Sequence, residues 1–524
     1  MTEGAVAIVG SGIVGSALAY LLTQKGHEVE VFERGPEYPY PHEPQFREEV
    51  FYLYQNPKYL APKDLKNLVV SGEYIHDLNE DFYMVVGGSG TIWAGVTLRM
   101  IPSDFKTKTL YGYGDDWPLT YDDLEPYYCK AEAFMGVSGT DDDNPFAPPR
   151  SKPFPLPPFE LSYDDARFAE KLRANGIVMH TTPQARTRKN YGDRLACDNY
   201  GPCWVCPTGS RYSPNYHLQK ALETGRCKLR TDVTVRRILT DSSGRASGLV
   251  YQHKDERQPQ EYDAKVVLVA ANAIQSARLL MLSANERYPD GLGNQSGQLG
   301  QNLTFHHGWV NRLQYKETLS PGRFGGWTGQ SYQFLDPENR GRHGGIKVEL
   351  PFARARSPLL RGVREPWTSS EQILTEFQER QHWYDIRLHS EAAVGPEKYV
   401  TLADERDRFG DRIAKVQYSL NDFDRETYNY GMELLDRIAE ATDAEEIRAA
   451  SLGSFHSTAH HHGTCCMGTD PDRSVTDSFG KVHGVDNLFV IGASQFVGSA
   501  SVNPVLTIVA LTIRSVDYLI DRVL

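Results

Sequence analysis

The sequence predicts an α/β protein made of two packed units, and three observations lead to that prediction. First, a short apolar strand, a glycine-rich turn and a helical pattern follow one another within residues 5–26, the order found in a parallel nucleotide-binding layer. Second, a buried strand returns near the carboxyl end at 487–492, so both ends of the chain contribute to one layer. Third, residues 306–455 hold short segments of alternating polarity, which are typical of strands. We therefore expect a Rossmann-like domain assembled from discontinuous segments and a β-sheet-rich second domain.

Composition and charge narrow the functional classes. The chain has 524 residues, of which 40% are hydrophobic and 24% are charged, and its formal net charge is −12. This mixture is globular rather than disordered, and an acidic chain without a basic run does not favour nucleic acid as a partner. The uncharged stretch Gly4–Leu22 is interrupted by glycine and serine, which suits a turn better than a membrane span. We expect a soluble, cytoplasmic protein without a signal peptide or membrane insertion.

The amino-terminal region has the pattern of a complete βαβ unit. The apolar run Ala5–Val9 predicts a buried strand, and the helical spacing that follows ends near Gly26. The turn between them carries glycines at the spacing G-x-G-x-x-G, namely Gly10, Gly12 and Gly15. The first glycine allows the tight turn, the second lets a pyrophosphate approach the backbone, and the third lets helix and strand pack closely. Glu33 follows the next strand, Glu28–Phe32, where a carboxylate accepts hydrogen bonds from ribose hydroxyls.

The fingerprint predicts a bound dinucleotide but does not separate NAD from FAD, since both contain ADP. The alternative is a glycine-rich turn without a ligand. The sequence contains no second G-x-G-x-x-G. A single bound cofactor is therefore favoured, because a flavoprotein reduced by NAD(P)H usually needs two such sites.

Further segments extend this layer. The passage Val85–Gly95 contains close glycines and Trp93, which indicates backbone that passes tightly against a flat or charged group; the alternative is a plain tight turn. Residues 227–240 alternate as strands do. A buried strand pattern at 266–271 precedes a helical pattern at 274–282, which predicts another β–α element of the same layer.

The predicted second unit has its own pattern of short elements. Strand patterns and one helical pattern occur at 345–350, 383–388, 399–402, 413–418 and 424–441. We expect the cofactor domain to comprise residues 1–305 and 455–524. The substrate domain would comprise residues 306–454, with a contribution from 150–190.

The carboxyl-terminal region carries the most specific motifs. They are His460–Asp470, Val482–Ser494 and Ser501–Thr507, the last of which opens the final helix. Together with the βαβ unit and the passage Val85–Gly95, they resemble the glucose–methanol–choline (GMC) flavoprotein oxidoreductases, in the family's order and over nearly the whole chain. Within that family, Val482–Thr507 looks most like the branch of gluconate, fructose and glucose dehydrogenase large subunits, with the pyranose oxidases nearby.

This resemblance implies bound FAD and the oxidation of a C–OH group on a sugar, glycoside or related polyol by hydride transfer to flavin N5. It implies an active-site pair, which is His460 and Asn503 in this sequence. The FAD contacts that we expect are Gly10, Gly12, Gly15, Glu33, Arg34, Gly88, Thr91, Ile92, Trp93, Ala94, Val233, Ala271, Gly492, Ala493, Asn503 and Val505.

Elementary chemistry supports the same pair of residues. Removing hydride from an alcohol carbon requires removal of the hydroxyl proton, and a neutral imidazole such as His460 is the natural acceptor. The amide of Asn503 can hydrogen-bond the same oxygen. Two alternatives stay open. Asn503 and Pro504 also match a helix cap and the first helical position. The run His460–His462 could also hold a metal, although neighbours in an extended segment point to opposite faces; we expect its last two histidines to pack or to support the site.

The sequence departs from the family pattern at two positions. Ile92 stands where some sugar oxidases carry a histidine bonded covalently to the flavin, so we expect FAD to be held non-covalently. Gly492 stands where many members have an acid, which we interpret as a mark of the subfamily.

A cysteine cluster consists of Cys197, Cys203 and Cys206, at the spacing C-x5-C-x2-C. Some sugar dehydrogenases of this branch carry a three-iron cluster on a similar group, but the last interval here is one residue short of that pattern. Thiolates at this spacing suit an iron–sulfur cluster or zinc with a fourth ligand, and unliganded thiols are the third alternative. We expect no metal at this cluster.

Two other functions stay open at this point. One is a lyase that keeps FAD only structurally, and the other is the flavoprotein subunit of an electron-transfer dehydrogenase complex. The expected partners are a small sugar, glycoside or polyol and an electron acceptor, either O2 or a quinone or cytochrome. Assembly of this chain into a homo-oligomer is a further alternative that the sequence leaves open.

Overall fold

The computed structural model describes residues 5–38, 40, 67–73, 78–197, 206, 208–319, 327–350 and 369–524. The strands are β1 (Val6–Val9), β2 (Val29–Phe32), β3 (Leu68–Gly72), β4 (His180–Thr181), β5 (Cys227–Arg230), β6 (Val233–Thr240), β7 (Ala246–His253), β8 (Gln260–Asp263), β9 (Val266–Val269), β10 (His307–Gln314), β11 (Gly329–Ser331), β12 (Ile346–Leu350), β13 (Trp383–Ser390), β14 (Lys398–Arg406), β15 (Arg412–Tyr418), β16 (Glu446–Arg448) and β17 (Leu488–Val490). The helices are α1 (Ile13–Gln24), α2 (Thr107–Tyr111), α3 (Tyr121–Met135), α4 (Tyr163–Ala174), α5 (Pro214–Glu223), α6 (Asn272–Leu282), α7 (Ser370–Arg380), α8 (Asp422–Ala441) and α9 (Val505–Arg522).

The layer predicted at the amino terminus is a parallel sheet with the strand order β17-β9-β1-β2-β5. β1 is buried on both faces: Ile8 packs with residues of α1, α5 and α9, whereas Ala7 packs with residues of the antiparallel strands β6 and β7 on the other face. A strand buried on both faces is apolar throughout, which is why the run is continuous in the sequence. The Rossmann-like α/β prediction is confirmed, including the strand returned from the carboxyl-terminal part.

A second sheet is antiparallel and has the strand order β16-β10-β13-β12-β11-β4. Because side chains alternate along each strand, its two faces differ. One face is apolar and includes Ile346, which packs in the same core as Leu434 of α8. The other face is polar: Lys347 lies opposite His389 in the strand register. The polar face meets the carboxyl-terminal motifs, since Lys347 contacts Asn503.

The strand and helix patterns of the second unit are confirmed as β12, β13, β14, β15 and α8. β14 and β15 nevertheless form a separate sheet with β3, a strand that lies more than 300 residues earlier in the sequence. That sheet packs against α6 of the nucleotide-binding layer, although residues 398–418 lie inside the predicted substrate domain. β4, within 150–190, adds an edge strand to the larger sheet. The exact division into domains stays a prediction.

The start of the last helix differs from the cap alternative. α9 begins at Val505, and Pro504 already has helical backbone angles (φ −81°, ψ −13°). The side-chain oxygen of Asn503 accepts a hydrogen bond from Lys347 instead of capping the helix. The Asn503 side chain is therefore held by Lys347, and the alternative that Asn503 caps the last helix is wrong. Of the described helices, none combines the length and apolar character that crossing a bilayer requires.

Candidate active site

The three glycines of the turn after β1 have different structural reasons. Gly10 has φ +96°, in the left-handed region, and a Cβ there would lie 2.7 Å from the carbonyl oxygen of Ala270. At Gly15 a Cβ would collide with the Gly10 carbonyl, so only glycine lets α1 approach the strand. At Gly12 a Cβ would meet no described atom within 4 Å. Gly12 therefore borders open space, where the backbone and the amino-terminal end of α1 are accessible to an anionic group.

Glu33 lies at the end of β2 and faces the same turn. Its Oε2 accepts hydrogen bonds from the Ser11 backbone N–H (2.9 Å) and from the Ser11 hydroxyl (2.7 Å). Its Oε1 accepts a hydrogen bond from the Gly35 N–H at 2.8 Å. Burial raises the pKa of the Glu33 carboxyl, and these hydrogen bonds oppose the rise. The carboxyl is thus fixed beside the turn. Oε2 already accepts two of these bonds, so Oε1 is the oxygen that offers a further lone pair to a ligand hydroxyl.

The second glycine passage packs against the first. Residues Gly88–Thr91 form a short 3-10 helix, and a Cβ on Gly88 would lie 3.4 Å from Cα of Gly12. Trp93 is held by a hydrogen bond from its indole N–H to the carbonyl of Tyr212, at 2.8 Å. The two glycine-rich segments therefore form one continuous wall.

One cavity is lined by residues from both ends of the chain. The predicted FAD contacts that line it are Gly10, Gly12, Glu33, Arg34, Gly88, Val233, Ala271, Gly492, Ala493 and Val505. The other predicted contacts, which are not among its lining residues, are Gly15, Thr91, Ile92, Trp93, Ala94 and Asn503. His460 also lines this cavity. An accessible turn at Gly12, a fixed acid at Glu33 and a helix terminus are the features that fit a dinucleotide.

His460 is held by two hydrogen-bond partners on one side of its ring. Its Nδ1 lies 3.0 Å from Nδ1 of His306 and 3.1 Å from the hydroxyl of Thr458. The backbone before it is strained: Thr458 and Ala459 have φ values of 51° and 59°, which non-glycine residues rarely adopt. Such strain concentrates at functional sites.

The hydrogen-bond network assigns the tautomer of His460. Nε2 of His306 lies 2.9 Å from the carbonyl of Ser499, which can only accept, so this nitrogen carries the proton. Nδ1 of a neutral His306 is then an acceptor. The Thr458 hydroxyl donates to the His306 carbonyl, at 3.2 Å, so its oxygen is also an acceptor toward His460. Both contacts require the proton of His460 on Nδ1, which leaves Nε2 as its basic nitrogen.

Burial keeps these imidazoles neutral. Desolvation lowers the pKa of His306 to about 3. Desolvation, followed by the neighbouring His306, lowers the pKa of His460 well below its usual value. A neutral imidazole at ordinary pH has a lone pair that can accept a proton.

Sequence reasoning missed two histidines of this cluster, His306 and His389. Ligand nitrogens of His306, His389 and His460 lie within 4.8 Å of one another, a grouping that could hold a metal ion. The sequence had instead indicated a possible metal site at the three consecutive histidines, His460–His462. The structure places His461 against the Phe82 ring (centroids 5.0 Å apart) and stacks His462 on Phe496 (5.0 Å).

Asn503 lies beside a buried ion pair that the sequence analysis also missed. The ammonium of Lys347 donates to Oδ1 of Asn503 and to Oε1 of Glu349. The second oxygen of Glu349 lies 3.3 Å from Nε2 of His389. The ring centroid of His389 is 6.1 Å from that of His460. The buried ion pair therefore contacts one predicted catalytic residue and lies beside the histidine cluster that contains the other.

The cysteine cluster is only partly visible. Cys203 lies outside the described residues, whereas Cys197 and Cys206 are half-buried. Sγ of Cys206 accepts a hydrogen bond from the Arg211 N–H at 3.3 Å, and the hydroxyl of Ser210 lies 3.3 Å from it. The expectation that no metal binds there stays a prediction.

Comparisons with known proteins agree with this geometry. Two family models described as GMC oxidoreductase match residues 65–308 and 396–512, together more than half of the chain, and a model of an NAD(P)-binding Rossmann-like domain matches residues 8–38. The chain is 29% identical to the fructose dehydrogenase large subunit of Gluconobacter japonicus, over 98% of this chain and 97% of that one. It is also 29% identical to 2-methyl-1,2-propanediol dehydrogenase of Mycolicibacterium austroafricanum, over 99% and 95% of the two chains.

A solved structure shows the same fold. Formate oxidase of Aspergillus oryzae superimposes with a TM-score of 0.68 at 16% identity, covering 99% of this chain and 98% of that one. These comparisons confirm the predicted resemblance to the GMC oxidoreductases and the prediction that the cofactor is FAD. The chain therefore belongs to the GMC oxidoreductase family and is an FAD-dependent oxidoreductase that acts on alcohol groups.

Proposed function

We propose that this protein oxidises a C–OH group of a sugar, glycoside or related polyol to the carbonyl, with His460 as the proton acceptor. One observation carries the assignment of His460: the hydrogen-bond network places its proton on Nδ1, and the ring lines the same cavity as Gly12 and Glu33. The basic Nε2 of His460 and the glycine turn at Gly12 therefore belong to residues that line one cavity.

His460 would take the hydroxyl proton on Nε2 as the carbinol carbon loses hydride. The substrate loses one proton and one hydride, which leaves a neutral carbonyl. His306 would hold the reactive tautomer throughout, because its own Nε2 proton is bound to the Ser499 carbonyl. Proton acceptance by a positioned base contributes about 10²–10⁴-fold in rate.

Asn503 would hydrogen-bond the same substrate oxygen. Its Oδ1 is occupied by Lys347, so the amide nitrogen is the end that is available to donate. A donor aimed at the oxygen stabilises the negative charge that develops there as the proton leaves. The pair therefore presents one acceptor and one donor, a combination that matches a neutral hydroxyl.

Bound FAD supplies the hydride acceptor at N5 of its flavin ring. Gly10, Gly12 and Glu33 would hold the adenosine and pyrophosphate portion, and Gly492, Ala493 and Val505 line the part of the cavity contributed by the carboxyl-terminal segment. Ile92 carries no nucleophilic atom, so we propose that the flavin is held without a covalent bond at this residue.

The names of the relatives support the substrate class. One is a fructose dehydrogenase subunit and the other a diol dehydrogenase, so we propose a sugar or polyol substrate. These names favour oxidation over the lyase alternative. The word "subunit" in the first name supports a second candidate function, in which this chain is the flavoprotein subunit of an electron-transfer complex. Its electron acceptor would then be a quinone or a cytochrome instead of O2.

An anaerobic half-reaction tests the proposal. The FAD-loaded protein is mixed with a panel of sugars, glycosides and polyols, and the loss of flavin absorbance is followed. Bleaching by a member of the panel is the expected result, and no bleaching with any alcohol would reject the proposal. Reoxidation of the bleached enzyme by O2, a quinone or a cytochrome then identifies the acceptor. Denaturation should release the whole of the flavin from the protein.

A further inference from the structure

We propose that the buried Lys347–Glu349 ion pair positions Asn503, fixing its amide so that the nitrogen end donates to the substrate oxygen. Lys347 and Glu349 stand two residues apart on β12 and thus share the polar face of the larger sheet. Both side chains are 0–3% exposed. The inference rests on the proposed function, because it assigns a role within the same site.

The contact between Lys347 and Asn503 allows only one amide orientation. An ammonium group has donors and no acceptor, so it binds the amide oxygen and never the amide nitrogen. If Lys347 were absent, the amide could rotate and present its oxygen to the substrate. That oxygen would then compete with His460 for the hydroxyl proton, and no donor would face the developing alkoxide.

The positive charge also strengthens the donor. Hydrogen bonds polarise one another in a buried network, so an ammonium at Oδ1 makes the N–H groups of Asn503 stronger donors. Burial lowers the pKa of Lys347, and the carboxylate of Glu349 opposes that effect. Glu349 thus helps to keep Lys347 charged where it touches Asn503.

Glu349 also lies close to the histidine cluster. Its Oε2 lies 3.3 Å from His389, whose ring is near His460. Stability alone does not explain such a pair, since replacing a buried ion pair by uncharged residues of similar volume is often neutral or stabilising. A position in contact with Asn503 and next to the histidine cluster gives the pair a role in the reaction.

The test is a double-mutant cycle on the FAD-loaded enzyme with a substrate that bleaches the flavin. The arms are Lys347→Met/Glu349→Gln, Asn503→Ala and the combination of all three changes. Removing both charges together avoids leaving a lone buried charge, which would threaten folding. Lys398→Met/Asp424→Asn is a matched control, because Lys398 and Asp424 form another fully buried ion pair on β14 and α8, and no described contact joins it to Asn503.

We expect Lys347→Met/Glu349→Gln to lower kcat about 10- to 100-fold, less than the roughly 10²–10³-fold typical of losing an oxyanion donor outright. KM and FAD content should change little. In the Asn503→Ala background the same change should lower kcat less than about threefold, since the side chain that it positions is already missing. The control pair should lower thermal stability but leave kcat unchanged.

Two results would overturn the inference: an unchanged kcat in the ion-pair variant, or a loss of equal size with and without Asn503. The Asn503→Ala arm separates this failure from a failure of the proposed function. If Asn503→Ala has normal turnover, the proposed role of Asn503 is wrong, and the positioning role is rejected with it. If Asn503→Ala is impaired but the ion pair acts independently, only the positioning role is rejected.

Discussion

Nδ1 of His460 lies 3.0 Å from Nδ1 of His306, and only one of these two nitrogens can carry a proton. Because the single ring proton of neutral His306 is on Nε2 and is donated to the Ser499 carbonyl, the proton between the two Nδ1 atoms belongs to His460. The basic nitrogen of His460 is therefore set by a residue that lies 154 positions earlier in the sequence. Replacing His306 should change the chemistry at His460 without touching substrate.

His306→Phe keeps a planar ring but removes the acceptor for the His460 proton. We expect kcat to fall about 10- to 10²-fold, because an orienting partner fixes both the tautomer and the ring angle of a working histidine. His307→Phe is the matched control, since His307 instead meets the hydroxyl of Tyr418 at 2.9 Å. Steady-state kinetics at saturating substrate would measure both. Equal losses in the two variants would contradict the tautomer assignment.

The pH profile should reflect the lowered pKa of His460. Burial, followed by the neighbouring His306, lowers this pKa below the ordinary imidazole value of about 6.5. The neutral ring is the active form, so kcat/KM should rise with pH through the lowered pKa and stay level above it. The midpoint of the acidic limb should therefore lie below pH 6.5. A midpoint at or above the ordinary imidazole value would disagree with this account.

Gly12→Val should abolish flavin binding while the fold is kept. The Cβ position of Gly12 faces open space, where we place the pyrophosphate, so a branched side chain would occupy that volume. Gly453→Val is a fair control, because a Cβ at Gly453 also meets no described atom within 4 Å and Gly453 is not among the residues that line the cavity. Flavin absorbance per chain and far-UV circular dichroism would be compared. A yellow Gly12→Val protein would argue against this site.

Metal removal should not affect turnover, because a proton acceptor requires no metal. Dialysis against EDTA is expected to leave kcat unchanged. Added Zn²⁺ should inhibit in competition with substrate, since the nitrogens of His306, His389 and His460 lie within 4.8 Å of one another and are neutral at ordinary pH. His389→Gln should weaken the zinc inhibition. Activity lost on chelation and restored by metal would instead identify a metal enzyme.

The nucleotide-binding half of the fold was predictable because its signals are local. Gly10, Gly12, Gly15 and Glu33 fall within one short segment. Their spacing alone indicates the tight turn, the accessible backbone, the close helix packing and the fixed acid that the structure shows there. The elements at 345–350 and 424–441 were predictable for the same reason, since strand and helix periodicity are read within a few residues.

The residues that surround His460 and Asn503 were not predictable in the same way. His306 directly precedes β10 and His389 lies on β13, the strand that pairs with β10, and periodicity does not show which strands are neighbours. A weaker signal was present at Lys347 and Glu349, which are ionisable residues in a strand whose other members are buried and apolar. Such residues usually require a buried partner. The identity of that partner, Asn503, depends on the tertiary structure.

The most direct test of the central claim is the rate of anaerobic flavin reduction by substrate in His460→Ala compared with the unaltered enzyme. The variant should bind FAD normally, because His460 only lines the cavity. Its reduction rate should fall by about 10²–10⁴-fold, the usual contribution of a general base. A rate within a few-fold of the unaltered enzyme would show that another group accepts the proton.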